Sequence, residues 1–403
     1  MRVLFITHRL PYAPNRGDRI RSYHILRALG SRGVEVSLVS LVHDEAEEAQ
    51  AAAVGAFAAR VITARVHRVS GLARGLAALA RGRPLTHALL DSRAMRPALA
   101  LAVSERPPDV VLAYGSGMAR FALEPPLAPR PLVLDLVDVD SAKWAALGRS
   151  GRPPLSWIYA REARRLGRFE AEAARRARTA LVVNERERDA LLRLAPSAVV
   201  RIAPNGVDAR AFRPDGPPAT APRVVFCGVL DYPPNADGAL WLVRHVWPIV
   251  RRRRADAALT IVGANPSGAL REAAAAEASV ELLGAVPDVR PHLHRAAVAV
   301  APIRTARGIQ NKVLEALAAG LPCVVTSAVR EGLPVEVLAG CLEASAADRF
   351  ASGIVDLLRR SPADRRELAG RARLDALTWE RRLGPLVDAL EAAAGCGRPA
   401  PAA

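Results

Sequence analysis

The sequence predicts an α/β protein made of two doubly wound, parallel-sheet domains that face each other across a cleft. Three observations carry that expectation. Short β-branched apolar runs alternate with segments of helical spacing along nearly the whole chain, the pattern of βα units whose strands pair in parallel. The rhythm breaks once, where Asn205-Gly206-Val207-Asp208 is followed by the proline-rich stretch 214–222. Finally, 403 residues, 51% of them hydrophobic, suffice for two cores in domains of about 200 residues each.

In chain order, residues 3–7 read as a strand and 8–18 as a loop that contains Arg16, Gly17 and Asp18. Ser22, Ile25, Leu26 and Leu29 then form the stripe of a helix that stops near Gly30. Further strands are expected at 34–41, 61–69, 109–113, 132–137, 180–183 and 199–203. Beyond the break, strands at 224–229, 259–262, 280–283, 298–303 and 323–326 alternate with helices beginning near Asn235, Ser267, Val289, Asn311 and Ala347. A last helix carries Leu383, Leu386, Val387 and Leu390 and is expected to pack back across the hinge. The domain reading is therefore 1–205, a linker at 206–222, a second domain at 223–377, the returning helix at 378–395 and a disordered tail at 396–403.

In open parallel sheets, ligands bind beyond the carboxyl ends of the strands. Arg16, Gly17, Asp138 and Asp140 follow strands of the first domain; Gly228, Asn265, Gly284 and residues 307–315 follow strands of the second. The most informative stretch is 304–322. It reads as strand end, loop and helix, so Gly308 to Lys312 lies at a helix N-terminus, where free N–H groups and partial positive charge normally attract acids. Arg304, Arg307 and Lys312 crowd that end instead, which makes sense if an anion sits among them. Unpaired amides, a glycine for close approach and several cations describe a phosphate or diphosphate site. Glu315, one turn further, cannot bind phosphate but can accept hydrogen bonds from a sugar diol such as a ribose, so a nucleotide is the economical ligand. Lys143 and Lys312 are the two lysines among 57 basic residues, and a compact ammonium suits a point contact with phosphate. An ordinary surface helix start fits the same residues.

Residues 131–144 place Asp135, Asp138 and Asp140 at the end of a buried strand, and strand alternation would point Asp138 and Asp140 the same way. They could hold a sugar or acceptor hydroxyl; Asp140 or Ser141 fits a helix N-cap equally well. The net charge of +17 is uneven, with 31 basic and 19 acidic residues in 1–200. Residues 60–106 contain nine arginines against Asp91 and Glu105, threaded through Leu72, Leu76, Leu79, Leu85, Leu89 and Leu99. That composition suits either an interfacial surface that meets an anionic membrane or a solvated arginine-rich face. Aromatic content of 4% and the lack of an RNA-binding or zinc-finger signature argue against nucleic acid. Cys227, Cys323, Cys341 and Cys396 lack metal-like spacing, as do the eight histidines, so reduced thiols, a cytoplasmic location and no metal or other cofactor are expected. Of the histidines only His8, at the mouth of the first strand, is placed near the site.

These residues together resemble the retaining GT-B glycosyltransferases of family 4, over essentially the whole chain. Arg307-Gly308-x4-Val-Leu-Glu315-Ala-Leu-Ala-x-Gly320-Leu-Pro322 resembles their E-G-x-x-x-P-x-x-E-A-x-A-x-G-x-P segment, and Asn205-Gly206-Val207-Asp208 their N-G-V-D turn. Leu26-x-x-Leu29-x-x-Arg32-Gly33-x-x-Val36, Val262-Gly263 and Leu283-Gly284-x-Val286-x-Asp288 fit as well. The resemblance implies two Rossmann-like domains and metal-independent sugar transfer with retained anomeric configuration. It places the nucleotide-sugar donor mainly on the second domain, with Glu315 on the ribose and Lys312 with the neighbouring Gly308, Ile309, Gln310 and Asn311 on the diphosphate. Gly17 would permit close approach from the first domain, and Arg16, Asp140, Gly228, Asn265 and Val286 complete the substrate contacts. Two departures stand out: Arg307 replaces the first glutamate of the family's pair, and Asp138 replaces its common histidine. Arg307, Lys312 and Asp138 are accordingly the catalytic candidates. Asp138-Val-Asp140-Ser-Ala-Lys143-Trp144, Asp231-Tyr-Pro-Pro-Asn235 and Arg307-Gly-Ile-Gln-Asn-Lys312 resemble the subgroup associated with exosortase exopolysaccharide loci, which implies a saccharide or lipid-linked acceptor.

Overall fold

The computed structural model describes residues 1–403 apart from 15–16, 67–74, 76–77, 79, 81, 215, 307–308 and 396–403, and apart from the side chains at 17, 18 and 150. The chain divides into two compact units, Met1–Pro204 with Arg382–Ala403, and Asn205–Arg381. Residues 206–222 belong to the second unit.

The first unit runs β1 (Arg2–Thr7), α1 (Gly17–Gly30), β2 (Glu35–Val42), β3 (Arg60–Arg65), α2 (Met95–Glu105), β4 (Val110–Tyr114), α3 (Ser116–Ala122), β5 (Leu132–Val137), α4 (Asp140–Ser150), α5 (Leu155–Arg176), β6 (Thr179–Val182), α6 (Glu185–Leu194) and β7 (Val200–Ile202), with shorter helices between. Among the described residues the sheet has seven strands in the order β3-β2-β1-β4-β5-β6-β7, all parallel. A parallel sheet covered on both faces needs near-continuous apolar strands. Val3 to Ile6, the whole of β4 and Leu132 to Leu134 meet that need and are buried. The exception is Asp135, fully buried in β5, whose carboxylate takes two hydrogen bonds from the buried Arg21 of α1, at 2.8 and 3.1 Å. The helix Gly384–Ala393 packs on β4, β5 and β6 of this unit.

The second unit runs β8 (Arg223–Cys227), α7 (Pro233–Trp241), β9 (Ala258–Val262), α8 (Gly268–Ala275), β10 (Val280–Gly284), β11 (Val298–Ala301), α9 (Asn311–Ala318), β12 (Cys323–Val325), β13 (Cys341–Glu343), α10 (Ala347–Arg359) and α11 (Pro362–Gly370). The strand order is β10-β9-β8-β11-β12-β13, again parallel throughout. Phe226, Leu259 and Ile261 of the sheet pack with Trp247, Phe350 and Ile354 in one buried cluster. Trp247 has no exposed surface, and its indole N–H donates to Ser279 Oγ at 2.9 Å. The strands expected from the sequence are present, most shifted by a residue or two. β11 is shorter than expected because Pro302 cannot continue the ladder, and β3 stops at Arg65. The edge strand β13 is additional.

Candidate active site

Both sheets reverse their winding direction once, between β1 and β4 in the first unit and between β8 and β11 in the second. At such a switch point the flanking loops diverge and leave a crevice beyond the carboxyl ends of the strands.

In the second unit the floor of that crevice is stitched from three loops. Gly228 N–H donates to Val262 O at 2.9 Å, Leu230 N–H to Ala264 O at 2.9 Å and Gly263 N–H to Gly284 O at 2.8 Å. Gly263 is required here, because a Cβ at that position would overlap the Gly228 carbonyl. Asn265 takes the left-handed conformation, φ +55°, which asparagine tolerates better than most residues, and its amide donates to Asp231 Oδ2 at 2.7 Å.

Helix α9 buries Val313, Leu314, Ala316 and Leu317 against the sheet, as its apolar spacing predicts, which leaves Lys312 and Glu315 on the other side. Lys312 Nζ donates to Asn235 Oδ1 at 2.6 Å and lies 5.1 Å from the centre of the Phe226 ring, within cation–π range. Asn235 sits in the first turn of α7, buried, and its Nδ2 donates to Val229 O at 2.9 Å. That second bond fixes which end of the amide faces the lysine. A Cβ on Gly228 would stand 3.0 Å from both Lys312 Nζ and Asn235 Nδ2, so the glycine makes room for the ammonium. Lys312 and Glu315 keep some surface as residues, but their charged ends are desolvated. Burial pulls Lys312 down to about 8, partly opposed by Cys227 and Glu315. Burial likewise pushes Glu315 up to about 7 against the pull of Lys312, and the Cys227 thiol up to about 12. Among the described residues no side chain bonds to Glu315. At the start of α9, Asn311 Oδ1 is buried without a hydrogen-bond partner among the described residues. The result is a cation held by a neutral amide rather than by a carboxylate, beside an unpaired acid. An incoming anion would find the first, and a hydroxyl donor the second.

Of the sequence-predicted residues, the structure brings together Gly228, Lys312 and Glu315. Asn265 lies on the adjoining loop after β9 and Val286 on the loop after β10. Gln310 precedes α9, its carbonyl accepting from Val313 N–H at 2.9 Å, and Ile309 packs on the apolar cluster beneath the helix. Arg16, Arg307 and Gly308 lie outside the described residues, and Gly17 is described only as the first residue of α1. Asn235 was visible in the sequence only as part of a short motif; its role depends on a contact across 77 positions.

In the first unit, Asp138 and Asp140 both reach Lys143 Nζ, at 2.9 and 3.1 Å. They do not converge by strand alternation as expected. β5 ends at Val137, whose φ of +66° and the 2.8 Å bond from Asp138 N–H to Leu136 O make a tight three-residue turn, so Asp138 leaves the strand direction and Asp140 opens α4. A β-branched residue is strained in that conformation, and such strain gathers at functional sites. Burial pulls Lys143 down, but Asp140 and Asp138 outweigh it and raise it above its ordinary value. Ser116 Oγ lies 3.5 Å from Asp140 Oδ2. The capping reading of Asp140 and Ser141 is corrected. The cap position is Val139, whose N–H is taken by Glu187 Oε2 at 2.8 Å, while Glu170 accepts from Ser141 N–H at 3.3 Å and from its hydroxyl. His8, just beyond β1, stacks on Tyr114 at the end of β4 with ring centres 5.5 Å apart.

In the basic stretch 60–106 the leucines divide between core and surface, with Leu89 54% exposed. Leu99 lies in the core, Leu85 is half-buried, and Leu72, Leu76 and Leu79 fall outside the described residues. Arg60, Arg65, Arg96 and Arg106 pair with Glu105, Glu45, Glu124 and Glu35, three of those acids coming from elsewhere in the chain. Folding therefore neutralises much of the charge that the sequence alone displays. Among the described residues no helix is long and apolar enough to cross a membrane.

A search of curated proteins finds no match to this chain. Residues 221–360 match the family described as glycosyl transferases group 1. Among solved structures the chain is similar to Anabaena HepE in complex with UDP and glucose, at TM-score 0.68 and 14% identity over 97% of this chain and 100% of that one. It is similar to an α,α-trehalose 6-phosphate synthase from Burkholderia multivorans, at TM-score 0.64 and 13% identity over 98% and 99%. WaaG, a glycosyltransferase involved in lipopolysaccharide biosynthesis, follows at TM-score 0.64 and 15% identity over 96% and 98%. The chain thus has the GT-B fold of two Rossmann-like units, and within its second unit residues 221–360 are similar to glycosyl transferases group 1.

Proposed function

We propose that the protein is a glycosyltransferase that moves a sugar from a nucleoside diphosphate donor to a saccharide or lipid-linked acceptor, with retention at the anomeric carbon. The observation that carries this reading is the Lys312–Asn235 pair beside Glu315 at the switch point of the second unit, within the segment that matches the glycosyltransferase family. Lys312, left without a carboxylate partner, meets the diphosphate at the start of α9, together with Gly308, Ile309, Gln310 and Asn311. Glu315 accepts the ribose hydroxyls. Arg307 adds a second cation to the diphosphate. Gly228, Asn265 and Val286 line the crevice toward the rest of the donor. That HepE binds UDP and glucose on the same fold supports this class of donor.

In the transfer, the acceptor oxygen bonds to the anomeric carbon as the bond from that carbon to the diphosphate oxygen breaks. The acceptor proton passes to the departing diphosphate. Lys312 and the helix N-terminus stabilise the negative charge that develops there, so this charge is met by the chain's own groups and no metal is required in the proposal. On the first unit Asp138 and Asp140 receive acceptor hydroxyls, Asp138 in the place of the family histidine, and Arg16 and Gly17 add substrate contacts from the same unit. Assignment to family 4, to the exosortase-associated subgroup and to exopolysaccharide synthesis in the cytoplasm rests on the sequence motifs.

The test is product analysis. The full chain is incubated with UDP-, GDP-, ADP- and CMP-sugars, with and without oligosaccharide acceptors, and the products are read by mass spectrometry. Acceptor-dependent release of a nucleoside diphosphate with a new glycosidic bond is expected. A donor sugar epimerised without any acceptor would replace this reading with an epimerase, and no turnover of any donor would sink both.

A further inference from the structure

Helices α4 and α5 form an antiparallel hairpin on the first unit. Its arms are held close by small residues: a Cβ on Gly148 would stand 3.1 Å from Ala160 N, and one on Gly151 would stand 3.6 Å from Ser156 Cβ. Lower down, Trp144 packs on Tyr159 with ring centres 5.4 Å apart, and Glu170 of α5 holds Ser141 of α4. The hairpin is therefore braced along its length. Its tip is different. Leu147, Leu155 and Trp157 are 47%, 54% and 70% exposed, whereas the same two helices bury Leu166, Ala171 and Ala173 completely or nearly so. Large apolar side chains left this exposed at one hairpin tip mark an interaction site.

Charge indicates what covers the tip. Residues 144–168 contain six arginines and one acid, Glu162. That acid is buried and bonded to the N–H groups of Leu85 and Thr86, at 2.7 and 3.0 Å, so it offsets nothing at the surface. Arg149, Arg152, Arg164, Arg165 and Arg168 are exposed. A tryptophan with two leucines exposed at a tip, with exposed guanidinium groups at the tip and along the adjoining helix, has the chemistry of an element that seats in the headgroup region of an anionic bilayer.

We propose that the α4–α5 hairpin tip is the site through which this protein docks on an anionic lipid surface, with Trp157, Leu155 and Leu147 entering the headgroup layer and the arginines meeting lipid phosphates. This differs from the sequence expectation, which placed such a surface in residues 60–106. It rests on residues of the first unit alone, so that it and the donor-site reading can each fail without the other.

The experiment is co-flotation of the full chain with vesicles of phosphatidylcholine alone or with a third of phosphatidylglycerol, in physiological salt. Wild type should float with the anionic vesicles and not with the neutral ones. Leu147→Ser/Leu155→Ser/Trp157→Ser should lose about tenfold in binding while its unfolding temperature stays that of wild type. Arg152→Gln/Arg164→Gln should weaken binding, and Arg252→Gln/Arg359→Gln, which removes the same charge from the second unit, should not. Wild type that stays free of anionic vesicles overturns the proposal, as does a triple variant that binds like wild type. Equal losses from the two arginine pairs would show general polyanion binding and overturn it. A wild type that self-associates through the tip, and that the triple variant returns to monomer without any vesicle effect, would replace it with a contact between copies of this chain.

Discussion

Binding of a nucleotide sugar should depend on pH through Lys312, with a sign and size set by its surroundings. In the free protein, burial holds Lys312 at about 8 rather than 10.5. A bound diphosphate is an added negative charge against the same ammonium and raises its pKa. A base whose pKa rises on binding takes up a proton when the site is occupied above pH 8, so affinity is full below that value and falls as pH rises through it. With Lys312 fully charged in the complex, the dissociation constant grows by one plus ten raised to the pH minus the free pKa. Between pH 7 and pH 9 that is about tenfold, or about 1.4 kcal/mol. Glu315 sets the other limb. Burial places it at about 7, and only the ionised carboxylate accepts from a ribose diol, so affinity should also fall below that pH. Calorimetric titration with UDP-glucose, whose diphosphate does not titrate in this range, should give a bell with its maximum between 7 and 8. Lys312→Met should bind weakly and lose the alkaline limb, and Glu315→Gln should lose the acid limb alone. A dissociation constant that changes less than about twofold from pH 7 to 9, or an alkaline limb that survives in Lys312→Met, would refute the reasoning.

Two further outcomes concern stability. Burial pushes Glu170 up from 4.5 to about 8, against the hydrogen bonds from Ser141. Its folded pKa is raised, so its contribution is full below pH 4.5 and is lost as pH rises through 8. Glu170→Gln should therefore be more stable than wild type at pH 9 by up to a few kcal/mol, with the gain gone at pH 5, as read by denaturant unfolding at both pH values. Arg21→Met strands the buried Asp135 carboxylate and should cost about 3–5 kcal/mol, roughly 10 °C in unfolding temperature. Arg21→Met/Asp135→Leu should recover most of that loss in a calorimetric scan, because the pair is replaced rather than broken.

How much of this was legible in the sequence depends on whether the signal was local. The strands and the start of α9 were legible because apolar runs, Gly308 and Lys312, and the stop at Gly320 and Pro322 are written within a few residues. β13 was missed because three residues at a sheet edge carry too little periodicity. Lys312 and Glu315 stood out in the sequence too; their environment did not. What makes Lys312 available is that its near partner is the Asn235 amide, and no spacing rule connects positions that far apart. Asp138 and Asp140 were singled out on the wrong geometry, since the turn at Val137 that redirects them has no sequence signature in a valine. Their link to Lys143 is local enough to have been found from the spacing of Asp140 and Lys143 on one helical turn. The ion pairs made by arginines of residues 60–106 were not legible, because half of each pair is visible locally and the other half is not.

The central claim is that the second unit holds a nucleoside diphosphate at the N-terminus of α9, with Glu315 on the ribose. Thermal unfolding with a panel of UDP-, GDP-, ADP- and CMP-compounds, run on wild type and on Glu315→Ala, tests it most directly, since a ligand that binds the native state raises the unfolding temperature. The account predicts a rise with one base in preference to the others, abolished in Glu315→Ala. No rise with any compound, or an equal rise in the variant, would contradict it.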